Sequence, residues 1–384
     1  MNWIRTFVAI SLVTALLFEL MSFMATKMDL FLVNDTPDLY GTYTFKKVPD
    51  IVYGRTEQEV WGAWHAQSST YRLSTACSEV LMEFNEVGAR DSSFTNLSDG
   101  SIILLGDSFA EGFGVSQNNT SQYLIENELD IPLLNFGSAG SFGPLQEFLI
   151  YKHHQKFPHQ GLIVYVLPAN DFTDNDSLFW NDISQLRYRP YFNQKGNPLT
   201  PYYFPAAVKR NNFKSPNLGD LKQFILENFW SANALRTFLM LWRGDTSIGK
   251  AYVEDISFES YFYDANQVQQ SNLIIAYEAI LDLAANRDVL FVVIPDQNDI
   301  AKVKNDVDPD RYKRQAWYEG FMSFEDRPQH RVSILNLMDH LPESTDELFI
   351  SCDGHWSPRG NKWASNVIIR HIQDNGLFSS STKN

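Results

Sequence analysis

Four short blocks, far apart in a chain of 384 residues, hold the residue types that acyl transfer through a serine requires. The first is Gly106-Asp107-Ser108-Phe109, with the glycine-spaced Glu111-Gly112-Phe113-Gly114 behind it. The second is Asn135-Phe136-Gly137-Ser138-Ala139-Gly140, leading through Gly143 to Gln146, and the third is Pro168-Ala169-Asn170-Asp171. The fourth is Asp353-Gly354-His355-Trp356, followed by Pro358 and Gly360. An unassisted serine hydroxyl is a poor nucleophile at neutral pH, so a histidine must accept its proton and a carboxylate must orient that histidine. Ser108, His355 and Asp353 supply those three types. Taken alone, Gly-Asp-Ser says little, because Asp or Ser after a strand serves more often as a helix cap. The order of all four blocks carries the signal.

Residues so far apart meet only if a fold gathers them. From residue 101 onward, short apolar runs alternate with helical patterns, as in βαβ units around a parallel sheet. Ser101 to Leu105, Leu133 to Phe136, Leu162 to Leu167, Val289 to Ile294 and Val332 to Leu337 read as strands. Ser121 to Leu129, Pro144 to Phe157, Ser271 to Ala285, Arg311 to Phe324 and Pro358 to Gln373 read as helices. Their apolar positions recur at three and four residues, as at Leu273, Ala276, Tyr277, Ile280, Leu281 and Ala284. The chemical blocks follow strand ends, so one rim of the sheet can hold them all, the rim where open α/β sheets carry reactive residues. The alternation breaks from Phe172 to about Gln270, too long for an ordinary βα connection, and that stretch reads as an insertion. Within it Leu221, Phe224, Ile225 and Phe229, then Leu235, Phe238, Leu239 and Trp242, keep one helical face. That face packs on the core, closes as a lid over the site, or touches membrane.

In these blocks the chain resembles the SGNH/GDSL hydrolases across nearly all of residues 80 to 376. The resemblance makes Ser108 the nucleophile and its backbone N–H an oxyanion donor, with Gly140 and the Asn170 side chain as the other two donors. Each such donor is worth about 3 kcal/mol of barrier. It makes His355 the base and Asp353 its orienting acid. The commoner family pattern has two residues between acid and base, whereas here Gly354 alone separates them. A glycine turn lets such a pair share one site, and a backbone carbonyl is the alternative orienter. The shorter spacing is similar to that of members that transfer or remove acetyl groups on polysaccharide. Phe84-Asn85-Glu86-Val87-Gly88-Ala89-Arg90-Asp91 looks like the lead-in of members with an N-terminal extension, and Val292-Val293-Ile294-Pro295 like their penultimate strand end.

The N-terminus carries a separate signal. Phe7 to Thr26 is almost uninterrupted apolar sequence preceded by Arg5, which predicts an uncleaved anchor with a cytoplasmic N-terminus. A cleaved signal peptide is the rival, and no A-x-A-like site closes the run. Glu19 inside it should be protonated, near an interface or facing a partner helix. The net charge of -15 opposes binding to nucleic acid. Cys77 and Cys352 form one bridge in an exported domain or stay as two thiols. His153, His154 and His159 read as a solvated helix end, Asp171, Asp174 and Asp176 as loop carboxylates, and Asp306, Asp308 and Asp310 as no calcium loop because of Pro309. No metal or cofactor is assigned.

The expectation is an α/β/α sandwich with a parallel central sheet, SGNH-type and flavodoxin-like, behind a transmembrane helix. Residues 1–26 form the anchor, 27–98 a lead segment packing on the main domain, 99–376 the hydrolase domain with its insertion at about 172–270, and 377–384 a tail. The expected activity is ester hydrolysis or O-acyl transfer through a seryl ester, on O-acetyl groups of cell-surface or exported polysaccharide, outside the cytoplasm. Trp356 stacks on a sugar ring or packs the loop. A lipid or phospholipid esterase and a non-catalytic glycan-binding domain are the alternatives.

Overall fold

The computed structural model describes residues 2–27, 51–52, 55–74, 79–97, 99–140, 142–182, 189–195, 197–203, 231, 265–351 and 354–379. Asp353, Cys77, Cys352 and the aromatic faces expected at 221–242 lie outside the described residues. The N-terminal helix α1 (Asn2–Lys27) is followed by five lead strands, β1 (Ile51–Val52), β2 (Arg55–Glu59), β3 (Gly62–His65), β4 (Ser69–Ser74) and β5 (Glu79–Phe84). These form two antiparallel sheets, β1-β2-β3 and β4-β5. These strands lie within the lead segment expected at 27–98.

The main domain begins with β6 (Ile102–Leu105), the one-turn helix α2 (Ser108–Glu111), α3 (Ser121–Leu129), β7 (Leu133–Asn135), α4 (Pro144–His154) and β8 (Gly161–Val166). Helices α5 (Pro168–Asp174) and α6 (Ser177–Asp182) and the hairpin of β9 (Pro190–Tyr191) with β10 (Tyr202–Tyr203) follow. The chain closes with α7 (Gln267–Ala284), β11 (Asp288–Val293), α8 (Gln297–Asn305), α9 (Ala316–Met322), β12 (Arg331–Asn336) and α10 (Pro358–Asn375).

Strands β12, β11, β8, β6 and β7 make one five-stranded parallel sheet in that order. Numbered by their own succession, the order is 2-1-3-4-5, the flavodoxin-like winding, with its switch point between the first and third strands. Alternation explains the layers. Ile103, Leu105, Val164 and Phe291 face a core with α4, α7 and α9. Ile102, Leu104, Ile163 and Leu290 face the other side with α3 and α10. Strands buried on both faces read as apolar runs, as β6, β7, β8 and β11 do, while the edge strand β12 is buried only from Ile334 to Asn336. All five lie within two residues of where the sequence placed them.

The helix expected over 311–324 breaks in two. A 3-10 turn covers Arg311–Arg314, Gln315 is extended, and α9 starts at Ala316. Tyr312 and Trp317 are both buried. Five helical residues would turn them about 140° apart, and the break lets both rings point inward.

Ten large apolar side chains of α1 are exposed, Trp3, Phe7, Leu16 and Met21 among them. Several others lie outside the described set. Among the described residues no helix is long and apolar enough to cross a membrane, so the transmembrane helix expected at residues 1–26 has no support there. The Glu19 carboxylate accepts from Ser231, from its N–H at 3.0 Å and its Oγ at 2.6 Å.

Candidate active site

The first three sequence blocks follow three adjacent strands. Ser108 follows β6, Gly140 follows β7 and Asn170 follows β8, and β6 pairs with both neighbours. Gly106 turns the chain out of β6 at φ +145, a conformation that L side chains rarely adopt. A Cβ there would also press on the side chains of Ala110 and Tyr165. Asp107 then caps α2, its Oδ1 accepting from the Phe109 N–H at 2.9 Å. The cap leaves Ser108 as the first residue of the helix, largely buried at the sheet rim.

His355 reaches that serine from the other end of the chain, with Nε2 2.8 Å from Ser108 Oγ. The loop that carries it is tied down on both sides. The Ile350 N–H donates to the His355 carbonyl at 2.7 Å, the Ser357 N–H donates to Leu348, and Phe349 bridges to Trp356. Ser357 caps α10 by accepting from the N–H groups of Arg359 and Gly360, each at 3.1 Å. The imidazole lies between two rings, Phe109 at 5.3 Å and Phe113 at 4.8 Å between centroids. Trp356, by contrast, is buried against Phe109, Tyr165 and Trp363. It packs the loop and offers no face to a sugar.

Asn170 stands in the first turn of α5, and its Nδ2 donates to Asp107 Oδ2 at 3.1 Å. One amide hydrogen is thereby occupied and the other stays available for a second acceptor. Burial pushes the Asp107 carboxyl up to about 6, against the pull of the Phe109 and Asn170 hydrogen bonds and of His355. Asp107 is thus a positioning group that the sequence reading missed. It was visible only as a cap, because its partner lies 63 positions away.

Gly140 sits at φ +89 and is half-buried. The loop leading to it keeps the sheet pairing going, since Phe136 N–H donates to Leu104 and Ser138 N–H to Gly106. Gly137 makes that approach possible, because a Cβ there would strike the backbone of Glu111 and Ala110. The fold therefore holds the Ser108 turn and the Gly140 loop in direct contact.

Buried acids lie behind the site. Glu147, Asp171 and Asp174 are almost wholly enclosed, on α4 and α5. This corrects the reading of Asp171 and Asp174 as loop carboxylates. Asp171 Oδ2 accepts from the Leu167 N–H at 2.7 Å and from Tyr277 OH at 3.2 Å, and Asp174 pairs with Arg189 at 3.6 Å. Among the described residues Glu147 has only the Tyr277 hydroxyl beside it to draw its carboxyl down. Burial, with Asp107 and Asp174 nearby, raises the Glu147 carboxyl well above its usual range. The protonated form is the one such a site holds.

Of the three histidines expected at a solvated helix end, His153 is exposed, whereas His154 and His159 are buried. His154 stacks on Phe136 and Phe157, and burial lowers it to about 3. His159 Nε2 lies 3.1 Å from Tyr151 OH. Among the described residues no group of acids, histidines or cysteines could hold a metal ion.

No protein-family model matches the chain, and no curated protein does. Solved structures similar to it include the salicylyl-acyltransferase SsfX3 from a tetracycline biosynthetic pathway, at 14% identity and TM-score 0.35, over 74% of this chain and 57% of that one. A protein assigned to the G-D-S-L lipolytic family, from Desulfitobacterium hafniense DCB-2, matches at 12% identity and TM-score 0.32, over 71% of this chain and 98% of that one. The acetyl xylan esterase Est2A from the rumen bacterium Butyrivibrio proteoclasticus matches at 7% identity and TM-score 0.31, over 73% and 65%.

Proposed function

We propose that the chain is a serine-dependent ester hydrolase or O-acyltransferase of the SGNH type. The observation that carries this reading is the 2.8 Å hydrogen bond between Ser108 Oγ and His355 Nε2, joining residues 247 positions apart. In this reading Ser108 Oγ attacks the ester carbonyl while His355 Nε2 takes its proton. The backbone N–H groups of Ser108 and Gly140 and the Asn170 amide receive the developing oxyanion. His355 returns the proton to the leaving alkoxide, and water or a second hydroxyl collects the acyl group. Asp353 is the proposed orienter of His355.

For substrate we propose O-acetyl groups on cell-surface or exported polysaccharide. The support is the resemblance of the Asp-Gly-His-Trp block to polysaccharide acetyl-processing members. The location proposed with it is outside the cytoplasm, behind an anchor formed by α1. That proposal rests on the apolar run Phe7 to Thr26 after Arg5 and on the exposure of its large side chains.

Turnover of p-nitrophenyl acetate tests the reaction. Wild type is expected to hydrolyse it, and Ser108→Ala to lose at least about a thousandfold in kcat. Equal turnover by both proteins would reject the reading. A preference for short acyl chains supports the glycan substrate, and a preference for long chains points to lipid.

A further inference from the structure

The nucleophile helix carries a buried carboxylate that the reaction above does not use. Glu111, the last residue of α2, is 1% exposed, in a protein where charge is excluded from such sites unless matched. Its Oε2 accepts from the N–H of Ala139, the residue before Gly140. Its Oε1 lies 3.1 Å from His65 Nε2, on β3 of the lead segment. His65 is itself buried, and its Nδ1 lies 2.9 Å from the Gly88 carbonyl. The ring is bracketed by two acceptors, a carbonyl on one side and a carboxyl on the other. A neutral imidazole has one N–H and satisfies only one of them, so the pair holds an additional proton, on the ring or on the carboxyl. Arg90 faces the same turn, donating from Nη1 to the carbonyls of Glu111 and Gly112 and from Nη2 to Val115 at 2.6 Å.

We propose that Glu111, clamped by His65, is the positioning residue of the oxyanion hole, holding the Ala139–Gly140 backbone against the nucleophile turn. Fixing the Ala139 N–H fixes the peptide that precedes the Gly140 donor, and an oxyanion donor acts through its placement at the position the charge will occupy. The lead segment thereby supplies part of the catalytic scaffold. Its block Phe84 to Asp91 does the same from the other side, since Asp91 Oδ2 accepts from the Asn135 N–H at 2.9 Å and Asn135 Nδ2 donates to the Ala110 carbonyl at 2.9 Å. This inference rests on the hydrolase reading.

The experiment compares kcat, KM and thermal melting for wild type, Glu111→Ala and Glu111→Gln on p-nitrophenyl acetate. Glu111→Ala is expected to lose about a hundredfold in kcat with KM within about threefold, the pattern of a lost transition-state contact. Glu111→Gln keeps an acceptor for Ala139 and donates to neutral His65, so it is expected to recover most of that loss. If Glu111→Ala does not fold, His65→Gln carries the test, with a kcat loss of about tenfold expected at unchanged KM. Unchanged kcat in the folded variant overturns the proposal, as does an equal loss in Ala and Gln variants that both melt like wild type. Wild type that neither turns over ester nor labels at Ser108 removes the hydrolase reading, and the inference with it.

Discussion

At the scale of single residues, the proposed chemistry depends on side chains whose freedom has been removed. Ser108 is held by the Asp107 cap, His355 by its loop and two flanking rings, and Asn170 by Asp107 Oδ2. An amide held in this way needs no reorganisation as charge develops, which is where an oxyanion donor gains its effect. Asn170→Ala is therefore expected to lower kcat by about a hundredfold or more and to leave KM nearly unchanged. Steady-state kinetics on p-nitrophenyl acetate check it, and a loss confined to KM would assign Asn170 to substrate binding instead.

Between residues and the whole molecule stand the elements that position them. Strands β6, β7, β8 and β11 were legible in the sequence because each is buried along its length and so reads as an apolar run, whereas the edge strand β12 is buried only from Ile334 to Asn336. Helix α8 escaped because only Ile300 and Val303 are its buried apolar positions, although Asp296 and Asp299 form a capping box that marks its start. His154, expected at a solvated helix end, and Asp171 and Asp174, expected in a loop, are buried against that expectation for a common reason. Polarity predicts exposure on average, and these three lie behind a site whose partners come from distant parts of the chain. The Ser108, Asn170 and His355 blocks could be read because each motif is local, whereas the contacts of Glu111 with His65 and of Asp107 with Asn170 have no local signature. Glu147 on α4 gives a pH-dependent consequence. Its carboxyl is raised by burial, so its contribution to folding is complete below the ordinary carboxylate range and is lost as pH rises through the raised value. Glu147→Gln removes that loss. Urea denaturation is expected to show the variant gaining on wild type as pH increases, and a constant difference across pH would refute this placement of the charge.

For the molecule as a whole, the flavodoxin-like winding sets β6 between β7 and β8, and that switch point makes one rim of the sheet the place where distant blocks meet. Helix α1 is proposed to hold this domain at a membrane. Fractionation of cells expressing the full chain is expected to place it with membranes, and deletion of residues 1–27 to release a soluble protein that still hydrolyses ester. Full-length protein in the soluble fraction would count against the anchor. The central claim is that Ser108 is the nucleophile and His355 its base. Labelling with a fluorophosphonate probe, followed by peptide mapping, tests it most directly. The expected adduct is on Ser108, strongly reduced in His355→Ala, and an adduct on any other residue of the active wild-type protein would contradict the assignment.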